Sequence, residues 1–315
     1  MVQKINVLSL FDGISIAQQA LKQEGIKTNK YIASEIDPYA IKVCQANFPE
    51  TIQLGDVRNV SVKDLPRIDL LVAGFPCTDL SIIGSRKGLK GERSGLFYSL
   101  LKILKEVKRR NPRVKWLIEN VASMNPKERH TISRLLGLQP ILINSNLVSA
   151  QNRSRLYWTN IPGVTIPQDQ GINLQSILQK NQPTCTTGRN VIAKLKITGN
   201  PFDYALSQLK MKSQAFTGVK DVRKLKVIKC DRLLKVKKNQ QKSSCLLSAK
   251  GGNNGKMDLL VFKNGKVRKL TAIEAERLQA LPDNYTSAVS NSRRHVLIGN
   301  GFTVSVIAHI LSFLR

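Results

Sequence analysis

Cysteine and histidine are both scarce in this sequence. The five cysteines are odd in number and widely spaced, without a CxxC pair, which argues against a disulfide framework or a structural zinc site and for a reducing cytosol. None of the three histidines lies at ligand spacing from another metal-ligating residue type, so we expect no metal site. Any acid-base chemistry must therefore rest mainly on carboxylate, cysteine or lysine side chains.

Long apolar runs are also lacking. No run approaches the ~20 residues of a membrane span. The apolar stretch at residues 5–11 is too short for a signal peptide and is typical of a buried strand instead. We therefore expect a cytoplasmic protein with no membrane partner.

Acidic residues are few beside basic ones. There are 21 of them against 50 lysines and arginines, which gives a net charge of +29. An excess of this size usually reflects a polyanionic partner such as nucleic acid. A generally lysine-rich surface is the alternative interpretation.

The first 162 residues alternate strand-like and helix-like segments. Apolar runs at 4–11, 68–74 and 114–118 read as strands, and helical spacing follows at 96–110 and after Pro126. Repeated β-α units with apolar strands predict an α/β fold, a Rossmann-like doubly wound parallel sheet covered on both faces. Such sheets bind ligands beyond the carboxyl ends of their strands.

The pattern changes after about residue 162. Residues 163–268 carry about half of the net charge, and their periodicity is weak. Order resumes at Leu270, with helices predicted over 272–280 and 304–314. We expect a catalytic domain at 1–162, a smaller inserted basic domain at 163–268, and a C-terminal segment at 269–315 that returns to the first domain.

Three sites along the first domain together predict a nucleoside pocket. Residues 11–15 end the first strand and open a helix, where backbone N–H groups suit a polar or anionic ligand. Glu35 ends the next strand, where an acid can accept hydrogen bonds from ribose hydroxyls, and Asp56 follows the third. Each is weak alone, since surface acids and glycine turns are common.

Cys77 follows a buried strand and Pro76, at the edge of the sheet where ligands bind. A cysteine is more often a small buried hydrophobe than a nucleophile. The glycine-punctuated basic loop beyond it, which includes Arg86 and Lys87, is typical of one that closes over a phosphate backbone. An ordinary surface loop is the alternative.

Two further segments point to the same edge. A carboxylate at Glu119, in the ENV sequence after an apolar run, would face the edge that holds Cys77, unless it caps a helix. Gln151, Arg153 and Arg155 alternate along a predicted strand, so their side chains should point together.

In this order and spacing the motifs resemble those of the cytosine-C5 methyltransferase family. They are FDG at 11–13, Glu35, GDV at 55–57, GFPC at 74–77, ENV at 119–121, QNRSR at 151–155, the run at 270–283 and Gly299-Asn300. The segments LSLFDGI, YIASEID, RKGL and HVLIGNGF are most similar to the Dnmt3-type branch. The basic insert instead resembles recognition regions of phage and bacterial enzymes.

The resemblance implies a reaction. Cys77 would add to C6 of a cytosine flipped out of the duplex, and C5 would then take a methyl group from S-adenosylmethionine, leaving S-adenosylhomocysteine. Glu119 would hydrogen-bond the base, Arg155 would hold its O2, and Arg153 would support the neighbourhood of Cys77 and Glu119.

The resemblance also implies the residues that bind each partner. The donor pocket would consist of Phe11, Asp12, Gly13, Ile14, Ser15, Glu35, Ile36, Asp56, Val57, Pro76, Asn300, Gly301 and Phe302. DNA contacts would come from Ser81, Ile83, Arg86 and Lys87, with Ile83 wedged into the space that the flipped base vacates.

The size and charge of the insert favour double-stranded DNA as the substrate. A tRNA cytosine-C5 methyltransferase and a catalytically silent DNA-binding regulator are the alternatives. The resemblance further suggests a monomeric enzyme in a prokaryotic or phage-infected cell, with a cognate restriction endonuclease as a possible companion.

Overall fold

The computed structural model describes residues 4–76, 95–180, 241–243, 245–246, 259–261 and 267–314, and all statements below concern these residues. Cys77 and the expected DNA-contacting residues at 81, 83, 86 and 87 lie outside them, as does most of the expected insert. The strands are β1 (Ile5–Leu10), β2 (Thr28–Ser34), β3 (Ile52–Gln53), β4 (Leu70–Gly74), β5 (Lys115–Val121), β6 (Ile141–Asn144), β7 (Ser154–Thr159), β8 (Leu259–Val261) and β9 (Val267–Lys269).

Seven of these strands form one sheet in the order β3-β2-β1-β4-β5-β7-β6. The pairs from β3 through β5 are parallel, which confirms the predicted α/β sheet. The expectation of a wholly parallel sheet is wrong for β7, which runs antiparallel to both β5 and β6. The cause is the length of the β6–β7 connection, because residues 145–153 are too few for the crossover of about a dozen residues that parallel neighbours need.

The helices are α1 (Ile16–Gln23), α2 (Pro38–Asn47), α3 (Leu96–Arg110), α4 (Pro126–Leu136), α5 (Leu174–Ile177), α6 (Ala272–Leu278), α7 (Asn291–Asn300) and α8 (Val304–Ser312). Local sequence explains several of their ends. The Asp37 carboxylate caps α2 by accepting from the Tyr39 amide at 2.9 Å, with Pro38 in the first turn. Gly137, at φ +75°, ends α4.

The sheet separates two apolar layers. On one face, α1, α2 and α8 pack on residues such as Val7, Leu70 and Leu117. On the other, α3 and α4 pack on Leu8, Leu71 and neighbouring strand residues. Both faces are therefore covered, as the apolar strands predicted.

Near the C-terminal end, α8 packs on α1. Residues Asn291–Ser312 are also the one described stretch long and apolar enough to cross a membrane, but 56% of that window is buried inside the protein. The stretch is interrupted between α7 and α8, and it supplies much of one core layer.

A buried ion pair fixes α6 to α7. Glu276 is fully buried, and its Oε1 accepts from Arg294 Nη2 at 2.9 Å and from the Thr286 amide at 2.8 Å. Its Oε2 accepts from the Asn284 amide at 2.8 Å. One carboxylate thus orders the connection between the two helices.

Removing the charge of Glu276 should lower the free energy of unfolding. Glu276→Gln leaves the Arg294 guanidinium buried without its carboxylate, which we expect to cost about 3–5 kcal/mol of unfolding free energy in urea titrations. Asp283→Asn is the control, because Asp283 pairs with Arg277 at 2.6 Å on the surface. That change should cost less than about 1 kcal/mol. Equal small losses in both variants would contradict a dominant role for the buried pair.

Candidate active site

The site lies where β4 and β5 meet. In their parallel register Gly74, the last residue of β4, pairs with Glu119 of β5, and Glu119 stands opposite Tyr157 of β7. The chain continues from Gly74 through Pro76 toward Cys77. Glu119 lies inside β5, and the ENV sequence at 119–121 forms the end of this strand.

Glu119 forms a buried ion pair with Arg155. Glu119 Oε1 lies 2.9 Å from Arg155 Nε, and their side chains are only 10% and 13% exposed. Burial raises the pKa of Glu119, while the neighbouring Arg155 and Arg153 cations oppose the rise. Desolvation is the larger effect, so the protonated carboxyl group is favoured more than in an ordinary glutamate.

Arg153 is buried and binds backbone carbonyls from two distant segments. Its Nη2 donates to Gly301 O at 2.7 Å and to Gly299 O at 3.2 Å, and its Nη1 donates to Leu246 O at 3.1 Å. A guanidinium surrounded by fixed carbonyl dipoles forms charge-assisted hydrogen bonds, which are stronger than neutral ones.

The alternating residues converge as the sequence predicted, although β7 begins only at Ser154. The Gln151 Oε1 accepts from the Leu246 amide at 2.7 Å. The Cys245 sulfur lies 3.3 Å from Arg153 Nη1 and 3.9 Å from Arg155 Nη2. All three side chains therefore contact residues 245–246 of the expected insert.

Sequence reasoning missed two residues of this neighbourhood. Cys245 lies in the basic insert, where periodicity is weak, and nothing in its local pattern placed it beside the arginines. Gln279 is fully buried; its Oε1 accepts from Thr303 Oγ1 at 2.7 Å, and its Nε2 donates to Ile298 O at 3.0 Å. An amide in the apolar run LQAL was the available signal, because a buried amide needs partners.

The expected donor pocket begins at the ends of β1 and β2. The Glu35 carboxylate accepts from the Gly13 amide at 2.8 Å through Oε2, and from the Ile36 and Asp37 amides at 2.7 and 2.9 Å through Oε1. Gly13 has φ +59°, a conformation that favours glycine. The Ile36 side chain is 68% exposed beside this carboxylate.

The Asp12 and Ser15 side chains point into the protein. Asp12 Oδ1 accepts from Tyr31 OH at 2.8 Å, while Ser15 Oγ donates to the Asp12 carboxylate and contacts Cys44 Sγ at 2.9 Å. Tyr285 OH donates to Ile14 O at 2.7 Å from the C-terminal segment. The turn is thus held from beneath, and Asp12 and Ser15 present only their backbone to the edge of the sheet.

The remaining expected donor residues are spread around this edge. Asp56 accepts hydrogen bonds from Arg58, through Nε of the guanidinium group at 3.0 Å and through the amide at 2.8 Å. The guanidinium hydrogen bond first, and the amide second, lower the pKa of Asp56 to about 2. Val57 is buried, Phe11 and Pro76 are partly buried, and Asn300 is exposed at the end of α7. Gly301 lies against Ile16 of α1 and is also bonded by Arg153, so it connects the donor side with the arginines.

No cluster of three or more His, Cys, Asp or Glu side chains among the described residues could hold a metal ion. The described cysteines, Cys44 and Cys245, are both free thiols.

The family model for C-5 cytosine-specific DNA methylases matches residues 5–314. The chain belongs to this family. It is 28% identical to the type II methyltransferase M1.ScrFI of Lactococcus lactis subsp. cremoris over 316 residues, which cover 96% of this chain and 76% of that relative. It is 34% identical to the orphan methyltransferase M.SPRI of Bacillus phage SPR over 194 residues, 57% of this chain and 43% of that relative.

Solved structures share the fold of this family member. The methyltransferase EhMeth of Entamoeba histolytica superposes with a TM-score of 0.68 at 18% identity, covering 99% of this chain and 98% of that one. Among the curated relatives, the chain spans about half the length of several that it matches.

The buried Asp12 gives this methylase-family chain a testable pH dependence. Burial raises the pKa of Asp12 from 3.8 to about 6, although hydrogen bonds from Ser15 and Tyr31 oppose the rise. The folded chain therefore holds the proton more tightly than the unfolded chain, so this group's contribution to stability is full below pH 3.8 and is lost as the pH rises through about 6.

We expect the unfolding free energy of the wild type, relative to Asp12→Asn, to fall by about 3 kcal/mol across that window. Denaturant titrations at a series of pH values measure the difference. The exposed Asp64→Asn serves as control and should follow the wild-type curve. Parallel curves for the wild type and Asp12→Asn would contradict the assignment.

Proposed function

We propose that the chain is a DNA (cytosine-5)-methyltransferase that transfers a methyl group from S-adenosylmethionine to C5 of a cytosine in double-stranded DNA. The observation that carries the proposal is the buried Glu119–Arg155 pair, which lies beside Gly74 at the end of β4. The residues after Gly74 lead to Cys77, and the chain belongs to the DNA methylase family. A carboxyl group paired with a guanidinium at 2.9 Å presents a donor and a fixed cation side by side. That arrangement suits the N3 and O2 edge of a cytosine ring.

The residues at the ends of β1 and β2 fit the nucleoside part of the proposed donor. Glu35 accepts three backbone hydrogen bonds, so about one of its four acceptor positions is left, on Oε2, for a ribose hydroxyl. The exposed Ile36 offers an apolar surface to a base ring. When bound, S-adenosylmethionine supplies an electrophilic methyl group, and S-adenosylhomocysteine remains.

The chain's own groups act on the pyrimidine. The Cys77 thiolate adds to C6, and the electron pair of the C5–C6 double bond makes C5 nucleophilic toward the methyl group. Glu119 donates its proton toward N3 as negative charge develops there, and Arg155 holds O2. After C5 has taken the methyl group, loss of the C5 proton to solvent breaks the C6–S bond, N3 returns its proton to Glu119, and 5-methylcytosine and the Cys77 thiolate are released. Arg153 supports the neighbourhood through its carbonyl contacts.

Contacts with DNA are assigned to the loop after Cys77 and to residues 163–268 as a target-recognition domain. C5 and C6 are stacked inside a duplex, so the cytosine must flip out, and Ile83 would fill the vacated space. Ser81, Arg86 and Lys87 would contact the strand nearby. The charge of 163–268 supports this assignment, because about half of the net charge of +29 lies there.

Several finer assignments belong to the same proposal. The segments LSLFDGI and HVLIGNGF support a relationship to the Dnmt3-type branch. Free thiols at Cys44 and Cys245 are consistent with a cytoplasmic enzyme. We further propose a monomer whose companion, where there is one, is a cognate restriction endonuclease.

Replacing the nucleophile tests the reaction and its substrate together. The wild type should incorporate labelled methyl from S-adenosylmethionine into duplex DNA, and Cys77→Ser should reduce incorporation by at least about 10³-fold, because a serine hydroxyl is a far weaker nucleophile than a thiolate. Duplex DNA containing 5-fluorocytosine should trap the wild type covalently and leave Cys77→Ser free. Incorporation into tRNA but not DNA would favour the RNA enzyme, and no incorporation into either would favour a silent regulator.

Glu119→Gln should separate turnover from DNA affinity. A carboxamide cannot transfer the proton, so kcat should fall by about 10²–10⁴-fold. The Kd for duplex DNA should stay within about threefold, because affinity rests mainly on phosphate contacts. Single-turnover kinetics and DNA titrations measure the two quantities, with the exposed Glu50→Gln as control. A variant that loses affinity but retains turnover would remove Glu119 from its acid role.

A further inference from the structure

The ring of Phe302 lies directly against the backbone of Gly74. A Cβ atom at Gly74 would stand 2.5 Å from Phe302 Cε1 and 2.7 Å from Cζ, distances that real Cβ contacts essentially never show. The same point lies 3.5 Å from Glu119 Oε2. The ring and the carboxylate oxygen therefore flank one small space above Gly74, and that space exists because residue 74 has no side chain.

The residues on both sides of Phe302 are held by buried partners. Gly301 O accepts from Arg153 Nη2 at 2.7 Å, and Thr303 Oγ1 donates to Gln279 Oε1 at 2.7 Å. Phe302 itself packs against the core layer formed by α1 and α8. The position of the ring is thus set by the fold on each side, rather than by its contact with Gly74 alone.

Resting on the proposed function, we propose that Phe302 is a positioning residue for the reaction: its ring, seated on Gly74, closes the space beside the Glu119 carboxyl group to water. Phe302 then links the proposed donor pocket with the Glu119 side of the site. It follows Gly301, which packs on α1, and its ring borders the Glu119 carboxyl group.

The charges around Glu119 explain why it matters that the Phe302 ring excludes water. Arg155 contacts Glu119 directly and Arg153 lies nearby, and both cations favour the ionised carboxylate. Within the part of the chain that the structure describes, the other titratable groups nearby are Tyr157, opposite Glu119 on β7, and Cys245, whose sulfur contacts both arginines. Exclusion of water is the effect that favours the protonated acid, so an apolar ring beside the carboxyl group bears directly on its protonation.

Titration of the Glu119 carboxyl group tests the proposal without relying on activity. Isotope-edited infrared spectroscopy of the full chain without donor, with Glu119→Gln to assign the band, follows its protonation. Phe302→Ala should admit water and lower the midpoint by about one pH unit or more. In the active enzyme the high-pH limb of the pH–rate profile should move down by the same amount, because activity is lost as Glu119 deprotonates. Phe48→Leu, at the far end of α2, should change neither.

Gly74→Ala provides a second route to the same displacement. Its Cβ would push the Phe302 ring aside, so the midpoint should fall. The fall should be smaller than in Phe302→Ala, because the added methyl group lies 3.5 Å from Glu119 Oε2 and covers part of the same space. Adding Gly74→Ala to Phe302→Ala should produce no further fall. An unchanged midpoint in Phe302→Ala, or additive shifts in the double variant, would overturn the proposal. If the wild type methylates no nucleic acid, the proposed function fails while the titration still reports the role of the ring. A methylating wild type with an unshifted Phe302→Ala leaves the function standing and removes only this inference.

Discussion

The buried guanidinium group of Arg153 holds three parts of the chain at one place. It extends from the start of β7 and bonds the carbonyl groups of residues 299 and 301 on one side and of residue 246 on the other. Among the described residues, its hydrogen bonds go to these carbonyl groups and to the Cys245 sulfur, so oriented peptide dipoles and a neighbouring sulfur stabilise its charge. One side chain therefore brings together three parts of the site: Glu119, the turn that carries Phe302, and residues 245–246. The position of each part depends on the position of Arg153.

The buried carboxyl groups of Asp12 and Glu119 lie in different surroundings. Asp12 is bonded by the hydroxyl groups of Tyr31 and Ser15 and stabilises a turn from beneath. Glu119 faces two guanidinium groups at the open side of the sheet. Burial raises the pKa of both. Only Glu119 lies beside the strand end that leads to a nucleophilic residue type, which is why the chemistry is assigned to it and a structural role to Asp12.

Much of the fold was predictable from local patterns. The bounds of α3 and the starts of α2, α4 and α6 follow from helical periodicity and capping residues, and the apolar strands mark the parallel part of the sheet. The direction of β7 follows from the length of its connection to β6. Helix α7 was not predicted, because its sequence NSRRHVLIGN is polar over its first half and lacks a clear apolar stripe. Alternation predicted that Gln151, Arg153 and Arg155 point together, although only Arg155 lies in β7 and all three side chains meet at residues 245–246.

The contacts that complete the site were not predictable in this way. Gly74 and Phe302 are more than two hundred residues apart, and their contact depends on how α8 returns across the sheet. The position of Cys245 beside the arginines depends on the parallel bridge between Gln151 and Ser243 and on the hydrogen bonds of Leu246 with Gln151 and Arg153. Such contacts follow from three-dimensional register, which no local pattern contains, whereas the motifs indicate only that these segments meet.

The reversed strand has a consequence for how this sequence can vary. Because β7 enters from the β6 hairpin, its arginines reach the acid from the beginning of a strand, and their direction is set by the nine residues that join Asn144 to Ser154. One residue added to or removed from that connection would shift the strand by one position and turn Arg155 to the opposite face of the sheet. Most apolar residues of the core would still be present, but the guanidinium groups would lose their contact with Glu119. The length of this short, largely buried connection is thus as strictly constrained as the identity of the charged residues that follow it.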